Sequence, residues 1–428
     1  MLVSNTILNN RLRLLIVGSG SYSDVTDKNY TSIANELVGR GHKVLYLNWD
    51  SPNSLKYGKV VPKFDFAQIK YNFRKLSSRT VGLIRDFHPN IVEIITPRYR
   101  NIVVGSDIHE ITEAPLVLHQ ADDYSYELER FLVSASLEQK IKFIIGNTII
   151  KRLWPAKWFL YDEAAYLKNV GKISAMDCMP PEKLIERIKE TACKYKKDII
   201  VEMVHHIVVD YSVLQEYVDP GKYTKDRPVT KFVFAGYINA YNISEIEILL
   251  RAIGLCIEAG HNNVELILVG KIHKNAIKKL QKVIDGLSIN AHVTHKGYIA
   301  KDSEFYKLIS SCDIAVIPGH NSSANSCRFP SKVVPFICLG IPVILSCAYD
   351  FSQQLSDSEV IKTKTDDPAE LANKMIMLID NRTMCHTISE KIREKARKLF
   401  RPAAEVADDF ERFYMNVLSK KSKQNTLL

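Results

Sequence analysis

Asp313-Ile314-Ala315-Val316-Ile317-Pro318-Gly319-His320-Asn321-Ser322-Ser323-Ala324-Asn325-Ser326-Cys327-Arg328-Phe329-Pro330-Ser331-Lys332-Val333-Val334-Pro335-Phe336-Ile337-Cys338-Leu339-Gly340-Ile341-Pro342-Val343-Ile344 divides by composition into four parts. Asp313 to Ile317 is a short apolar run, the length of a strand buried on both faces. Pro318 to Ser326 is too polar for a core and makes a loop. Pro330 suits the first turn of a helix, where a missing N–H costs nothing. Gly340 and Pro342 stop that helix, and Ile341 to Ile344 opens the next buried strand. The reading is strand, loop, helix, strand. It places Arg328 and Lys332 near a helix N-terminus beside the carboxyl end of a strand. Backbone N–H groups, the helix dipole and two cations favour an anion there, and open α/β sheets bind ligands at that edge.

The same alternation extends outward in both directions. Arg13 to Val17 is a strand, Gly18-Ser19-Gly20-Ser21 a small-residue turn, and Tyr30, Ile33, Ala34, Leu37 and Val38 one face of a helix. Lys43 to Leu47 completes a βαβ opening. Ser23 replaces the third glycine of a dinucleotide fingerprint. Gly18, Ser19 and Gly20 therefore either touch a phosphate or only turn the chain. Ile91 to Ile95 is a further strand, and Pro115 to Gln120 another, ending in the acidic tip Asp122-Asp123 beside His119. Those carboxylates either line a cleft or cap the next helix. Candidate elements in 140–200 are a strand at Phe143 to Ile145, a lead-in at Trp154 to Trp158 and a helix from Pro180 to about Tyr195. His205 and His206, read as adjacent on a strand, point to opposite faces and make no metal pair.

Asp219 to Pro228 is polar and Pro/Gly-bearing, which predicts an interdomain linker. Beyond it, a second α/β repeat starts at Lys231 to Gly236, Val264 to Gly270 is a strand, and Ser244 is predicted as an N-cap with Glu247 closing a capping box. Strands near His292 and at Asp313 follow, then helices from Asp367 onward, with Pro402 breaking the last two. The expected fold class is α/β: two doubly wound, Rossmann-like domains facing across a cleft. The expected domains are 1–220, 221–400 and a terminal helix, 401–428, that crosses back to the first domain.

Pro330, Lys332, Gly340, Pro342 and Val343 make this segment similar to the donor-site signature of GT-B glycosyltransferases, particularly the retaining group called family 4. The resemblance covers most of 230–400 and, more loosely, 12–50 and 115–125. Pro335 stands where that family has a Glu on the donor ribose. Tyr237 and Asn242 stand where it has an Arg and a Lys on the diphosphate. The resemblance implies a metal-independent, cofactor-free transfer of a sugar from a nucleotide-sugar donor to a glycan or lipid-linked acceptor. It implies donor contacts from Gly236, Tyr237, Asn242, Gly297, Tyr298, Asn321, Ser322, Ser323, Arg328, Ser331 and Lys332, with Gly18, Ser19 and Gly20 across the cleft. His119, Asp122 and Asp123 would orient or deprotonate the acceptor hydroxyl. The losses at Pro335, Tyr237 and Asn242 also fit a catalytically degenerate protein that binds a nucleotide sugar or a partner, and an epimerase shares the architecture.

Composition agrees with this class of protein. With 428 residues, 46% hydrophobic and 25% charged, the chain can form two or three globular domains. Eight cysteines without a Cys-x-x-Cys pair point to reduced thiols in a cytoplasmic protein, and no cluster suggests a metal. The N-terminal stretch has no signal-peptide core, and no apolar run spans a bilayer. A net charge of +10 admits nucleic acid, anionic membrane or anionic substrates, and no nucleic-acid motif supports the first. Lys56 to Arg85 interleaves basic residues with Phe64, Phe66, Tyr71 and Phe73. That stretch is either a solvated face or a peripheral contact with the anionic inner face of a membrane.

Overall fold

The computed structural model describes residues 11–18, 25–49, 62–72, 75–96, 99–120, 175–178, 200–204, 206–224, 227–240, 242–321, 323–326, 329–364 and 367–426, with four isolated helical positions between 137 and 186. The described residues divide into two units, one running to Val209 and resuming at Arg401, the other from Asp210 to Phe400.

The first unit opens with β1 (Arg13–Val17), α1 (Val25–Gly39), β2 (Lys43–Asn48) and β3 (Asp65–Gln68), followed by a small antiparallel pair, β4 (Tyr71–Asn72) and β5 (Lys75–Leu76). Then come α2 (Ser78–Phe87), β6 (Ile91–Thr96), α3 (Tyr99–Thr112), β7 (Leu116–Gln120), β8 (Ala175–Cys178) and β9 (Ile200–Met203). Seven strands form a parallel sheet in the order β3-β2-β1-β6-β7-β8-β9. Strand residues alternate between two cores, as a sheet covered on both faces requires. Leu14, Ile16, Val44, Tyr46, Ile91, Ile95 and Val117 face one core; Leu15, Val17, Leu45, Leu47, Val92, Ile94, Leu116 and Leu118 face the other.

The second unit contains α4 (Tyr211–Gln215), β10 (Thr230–Ala235), α5 (Ile243–Glu258), β11 (Val264–Val269), α6 (Lys274–Gly286), β12 (Val293–His295) and α7 (Asp302–Ser310). It continues with β13 (Ile314–Ile317), α8 (Ser323–Ser326), α9 (Val333–Cys338), β14 (Val343–Ser346), β15 (Ile361–Thr363), α10 (Pro368–Asp380) and α11 (Arg382–Leu399). Its sheet is parallel, in the order β12-β11-β10-β13-β14-β15. The chain steps outward from β10 through β11 to β12, then returns to the other side of β10 as β13. The switch point therefore lies between β10 and β13, where doubly wound sheets open a crevice at the strands' carboxyl ends.

α12 (Ala403–Thr426) rejoins the first unit. Val406, Ala407, Phe410, Phe413, Tyr414 and Val417 lie buried in the core that α1 covers. Arg40 on the turn after α1 is paired with Asp408 and Glu411 at 2.6 and 2.8 Å. Among the described residues no helix is long and apolar enough to cross a membrane.

The structure departs from the sequence reading at several places. The segment 219–228 is part of the second unit rather than a linker. Tyr223 is buried and donates to Asp313 O at 2.9 Å. Lys222 is buried as well, its ammonium donating to Ser310 O at 2.8 Å and to Cys312 O. Ser244 does not cap α5: that position belongs to Asn242, and Ser244 lies one residue inside the helix. The strand and lead-in expected at 143–158 lie outside the described residues, as does the helix expected at 180–195 apart from Glu186, which is helical.

Candidate active site at the carboxyl edge of the second sheet

Three crossover loops meet at the carboxyl ends of β10, β11 and β13. Gly236 follows β10; its N–H donates to Val269 O at 2.8 Å. Gly270 follows β11 with φ +127°, and its N–H donates to Gly297 O at 2.8 Å, which brings the end of β12 into the same edge. A side chain on Gly270 would place Cβ 2.2 Å from Gly236 O. Glycine is required here both by its φ and by the close approach of the two backbones. Tyr237 and Tyr298 stand on this edge, 46% and 63% exposed. Lys271 Nζ lies 5.0 Å from the centre of the Tyr298 ring.

Lys332 reaches this edge from the far side of the switch point. Its ammonium lies 4.6 Å from the centre of the Phe234 ring, and a Cβ built on Gly236 would lie 3.8 Å from Nζ. The stem is half-buried and the charge stands beside the Gly236 backbone. The helix starts later than Pro330 suggests. Pro330 to Lys332 form a turn, Val333 N–H donating to Pro330 O at 2.8 Å, and Lys332 occupies the N-cap position of α9. Pro335 is the third residue of α9, where its missing N–H is one of the helix's unsatisfied donors. α9 is only Val333–Cys338, too short for a strong helix dipole, so the positive charge at this place is that of the lysine itself. Ser331 is exposed in that turn.

The loop after β13 is fastened from two sides. Tyr349 OH donates to Pro318 O at 3.3 Å and Ser346 Oγ to Gly319 O at 3.0 Å. From the other side, α5 holds His320. Its N–H donates to Glu245 Oε1 at 3.3 Å, and its ring Nε2 is hydrogen-bonded to Ser244 Oγ. Asn325 Nδ2 donates to His320 O at 2.8 Å and to Glu245 Oε1 at 3.2 Å. Glu245 and Asn325 are 3% and 1% exposed. Neither was singled out from the sequence, although Glu245 carries a signal. It lies four residues before Leu249 and seven before Ala252, on a face that is otherwise apolar.

Of the remaining candidates, Asn242 is engaged locally: Nδ2 donates to Tyr237 O and Oδ1 accepts from Asn239 N–H, both at 2.8 Å. Gly297 has φ +68°. Asn321 is exposed at the start of the loop tip, and Ser323 begins α8. Ser19, Gly20, Asp122, Asp123, Ser322 and Arg328 lie outside the described residues.

In the first unit, Gly18 ends β1 in a closed set of hydrogen bonds. Its N–H donates to Leu47 O, and its carbonyl accepts from Asn101 Nδ2, each at 2.8 Å. Asn101 also donates to Ile95 O at 2.9 Å and accepts from Trp49 Nε1 at 2.8 Å. His119 is wholly buried. Its ring packs against His206 at 4.4 Å and Tyr30 at 5.2 Å between centroids, and Tyr30 OH donates to the buried Glu93 at 3.2 Å. The expected exposed base is thus a core histidine: residue 119 has the same strand parity as Val117 and shares the face covered by α1 and α12. β9 spans Ile200–Met203, and His206 follows it in the chain. Among the described residues no group of three or more His, Cys, Asp or Glu could hold a metal ion.

Residues 229–381 match the family model described as Glycosyl transferases group 1. No curated protein sequence matches the chain. Solved structures match over nearly its whole length. Anabaena HepE in complex with UDP and glucose aligns with TM-score 0.67 at 14% identity, covering 95% of this chain and 100% of HepE. Sucrose-phosphate synthase from Thermosynechococcus elongatus aligns with TM-score 0.67 at 12% identity, covering 95% and 99%. WaaG, a glycosyltransferase involved in lipopolysaccharide biosynthesis, aligns with TM-score 0.56 at 13% identity, covering 92% and 98%. The switch-point crevice and its lysine lie inside the matched segment, and two parallel, doubly wound sheets make the fold: the chain has the GT-B fold, and its residues 229–381 are similar to group 1 glycosyl transferases.

Proposed function

We propose that the chain transfers a hexose from a uridine diphosphate sugar to a glycan or lipid-linked acceptor, without a metal or a resident cofactor. The observation that carries this reading is Lys332, whose ammonium stands beside Gly236 at the switch point of the second sheet. The choice of uridine is supported by HepE, which shares the fold and binds UDP. In the reaction, the bond between the anomeric carbon and the diphosphate oxygen breaks, and its electron pair stays on the diphosphate. The acceptor oxygen bonds to that carbon and loses its proton. Charge thus grows on the diphosphate in the transition state, where a preorganised cation is most effective. Gly236, Gly297, Asn321, Ser322, Ser323, Arg328 and Ser331 complete the donor side in this proposal, with Tyr237 and Tyr298 as exposed rings for the base. Gly18, Ser19 and Gly20, which follow β1, add donor contacts in this proposal. The proton goes to Asp122 or Asp123, which follow β7, because His119 is enclosed in the core.

The test is release of nucleoside diphosphate from a panel of nucleotide sugars, with membrane glycolipid and soluble glycan fractions as acceptors. Release of UDP that depends on an acceptor supports the reading; no release from any donor sinks it. Asn242 favours one second reading, a binder without transfer, because it caps its own loop where the related family has a lysine. Saturable binding of UDP-sugar with no turnover under every acceptor would select it.

We place the protein in the cytoplasm, peripherally at an anionic membrane face. Support comes from α2, where Arg79 and Leu83, one turn apart on one face, are both exposed, Leu83 at 40%. Binding to phosphatidylserine vesicles should fall steeply with salt, since exposed charges are screened over about 8 Å at physiological ionic strength. Equal binding to neutral phosphatidylcholine vesicles would remove the idea.

A further inference from the structure

We infer that Glu245 is a positioning residue for the donor site, acting through His320 and Asn325 on the loop that follows β13. The inference rests on the donor reading above and names a residue that reading does not need. Glu245 is a carboxylate with 3% exposure in the first turn of α5, and it spends its Oε1 on two donors from one loop. One is the His320 N–H and the other is Asn325 Nδ2, five residues later in the chain. Asn325 Nδ2 also holds the His320 carbonyl, so both ends of the loop tip are tied to a single oxygen and to each other. The neighbouring Ser244 holds the His320 ring.

The opposite side of the loop is held independently. Ser346 and Tyr349 take the Gly319 and Pro318 carbonyls, and Tyr349 packs so close that a Cβ on Gly319 would lie 2.7 Å from its ring. With Pro318 and Gly319 fixed by that wall, the grip of Glu245 sets only how His320 and Asn325 lie along the crevice. A carboxylate buried only to stabilise the helix could be replaced by an apolar side chain of similar size at little cost. One whose acceptor oxygen gathers a backbone N–H and a side-chain amide of the ligand loop cannot, because both donors would be stranded.

The test measures affinity for UDP, GDP, ADP and uridine, together with the melting temperature, for the full chain and its Glu245→Ala, Glu245→Gln and Asn325→Ala variants. Gln keeps an oxygen at the same place and can accept both hydrogen bonds. Glu245→Ala and Asn325→Ala should each weaken binding of the preferred nucleoside diphosphate by about tenfold or more, as loss of charge-assisted or buried hydrogen bonds does. Glu245→Gln should stay within about threefold of the parent, and uridine binding should change by less than about twofold in all three. If Glu245→Ala does not fold, Asn325→Ala and Glu245→Gln decide between them. The proposal is overturned if Asn325→Ala, or a folded Glu245→Ala, binds the diphosphate within about twofold of the parent. It is overturned equally if Glu245→Gln loses as much as Glu245→Ala, which would put the effect in the charge rather than the grip. A parent chain that binds no nucleoside diphosphate would instead remove the donor reading itself.

Discussion

Lys332 sets the strongest expectation at the scale of single residues. Its ammonium would lie 3.8 Å from a Cβ on Gly236, and charge-assisted hydrogen bonds to phosphate are worth about 1.5–3 kcal/mol. Lys332→Ala should therefore weaken nucleoside-diphosphate binding by roughly ten- to a hundredfold. It should leave the uncharged nucleoside nearly unaffected, since the loss is confined to a charge. Calorimetric titration with UDP and with uridine separates the two, and equal losses for both would place the defect in the crevice rather than on the phosphate. Gly270 makes the complementary case, a residue whose effect is wholly steric. At φ +127°, with Gly236 O only 2.2 Å from where a Cβ would stand, Gly270→Ala must push β11's exit away from β10's. Backbone strain of this kind costs about 1–3 kcal/mol, and here a contact clash adds to it. Urea unfolding should show that loss. A midpoint unchanged by the substitution would mean the two loops can part freely.

Elements show what the sequence could and could not tell. The strands at 13–17, 43–48, 264–269 and 314–317 were legible because each is a short apolar run, buried on both faces of a parallel sheet. α12 was legible from its apolar stripe, since Val406, Phe410, Phe413, Tyr414 and Val417 recur at helical spacing. Its exchange into the first unit's core came only from the resemblance, because periodicity names a face and not the surface it meets. Phe410 is wholly buried there against Tyr30, so Phe410→Ala should cost about 3–5 kcal/mol. Arg40→Ala, which removes solvent-exposed ion pairs and one hydrogen bond to Ala404 O on the same helix, should cost about 1 kcal/mol. Comparable losses in denaturant melts of the two variants would contradict a packing role for the stripe. The site was less legible than the sheets. Lys332 could be picked out because it follows a strand-end loop, whereas Ser244 invited a capping box. The hydroxyl instead meets His320, seventy-six residues away, and local rules carry no information about such a partner. Asp219 to Pro228 misled for a similar reason. Its polar composition suggested a linker, but Lys222, Tyr223 and Arg227 point at the amino edge of β13 and are bound there by carbonyls and Asp313.

At the scale of the whole molecule, the described groups that burial displaces most in pKa all lie in the second unit. Burial pushes the thiols of Cys312 and Cys385 up to about 11 and those of Cys256 and Cys338 up to about 12, from an ordinary 9.0. Burial acts on Lys222 in the opposite direction, lowering it from 10.5 to about 8 despite the nearby Asp313. The signs follow from which state holds more protons. For a raised thiol, the native state keeps its proton where the unfolded chain has lost it, so its stabilisation is complete below about 9 and is lost as pH climbs toward the native value. For the depressed ammonium, the unfolded chain holds more protons between about 8 and 10.5, so stability gains as pH rises through that window. Each group contributes a slope of at most about 1.4 kcal/mol per pH unit. Lys222 acts alone from about pH 8 to 9; above that, four thiols oppose one ammonium, and Tyr211 and Tyr223, both raised by burial, join them past about 10. Second-unit stability should therefore rise slightly to about pH 9 and fall steeply beyond it. Urea melts at fixed temperature from pH 7 to 10.5, under reducing conditions, read this directly. Lys222→Met should abolish the rise below pH 9, and Cys338→Ala should make the later fall shallower. A parent curve still rising at pH 10 would show that the thiols are solvated in the folded chain, contrary to their burial among Val333, Val334, Phe336 and Ile337 on α9 and within the core beneath α5 and α10.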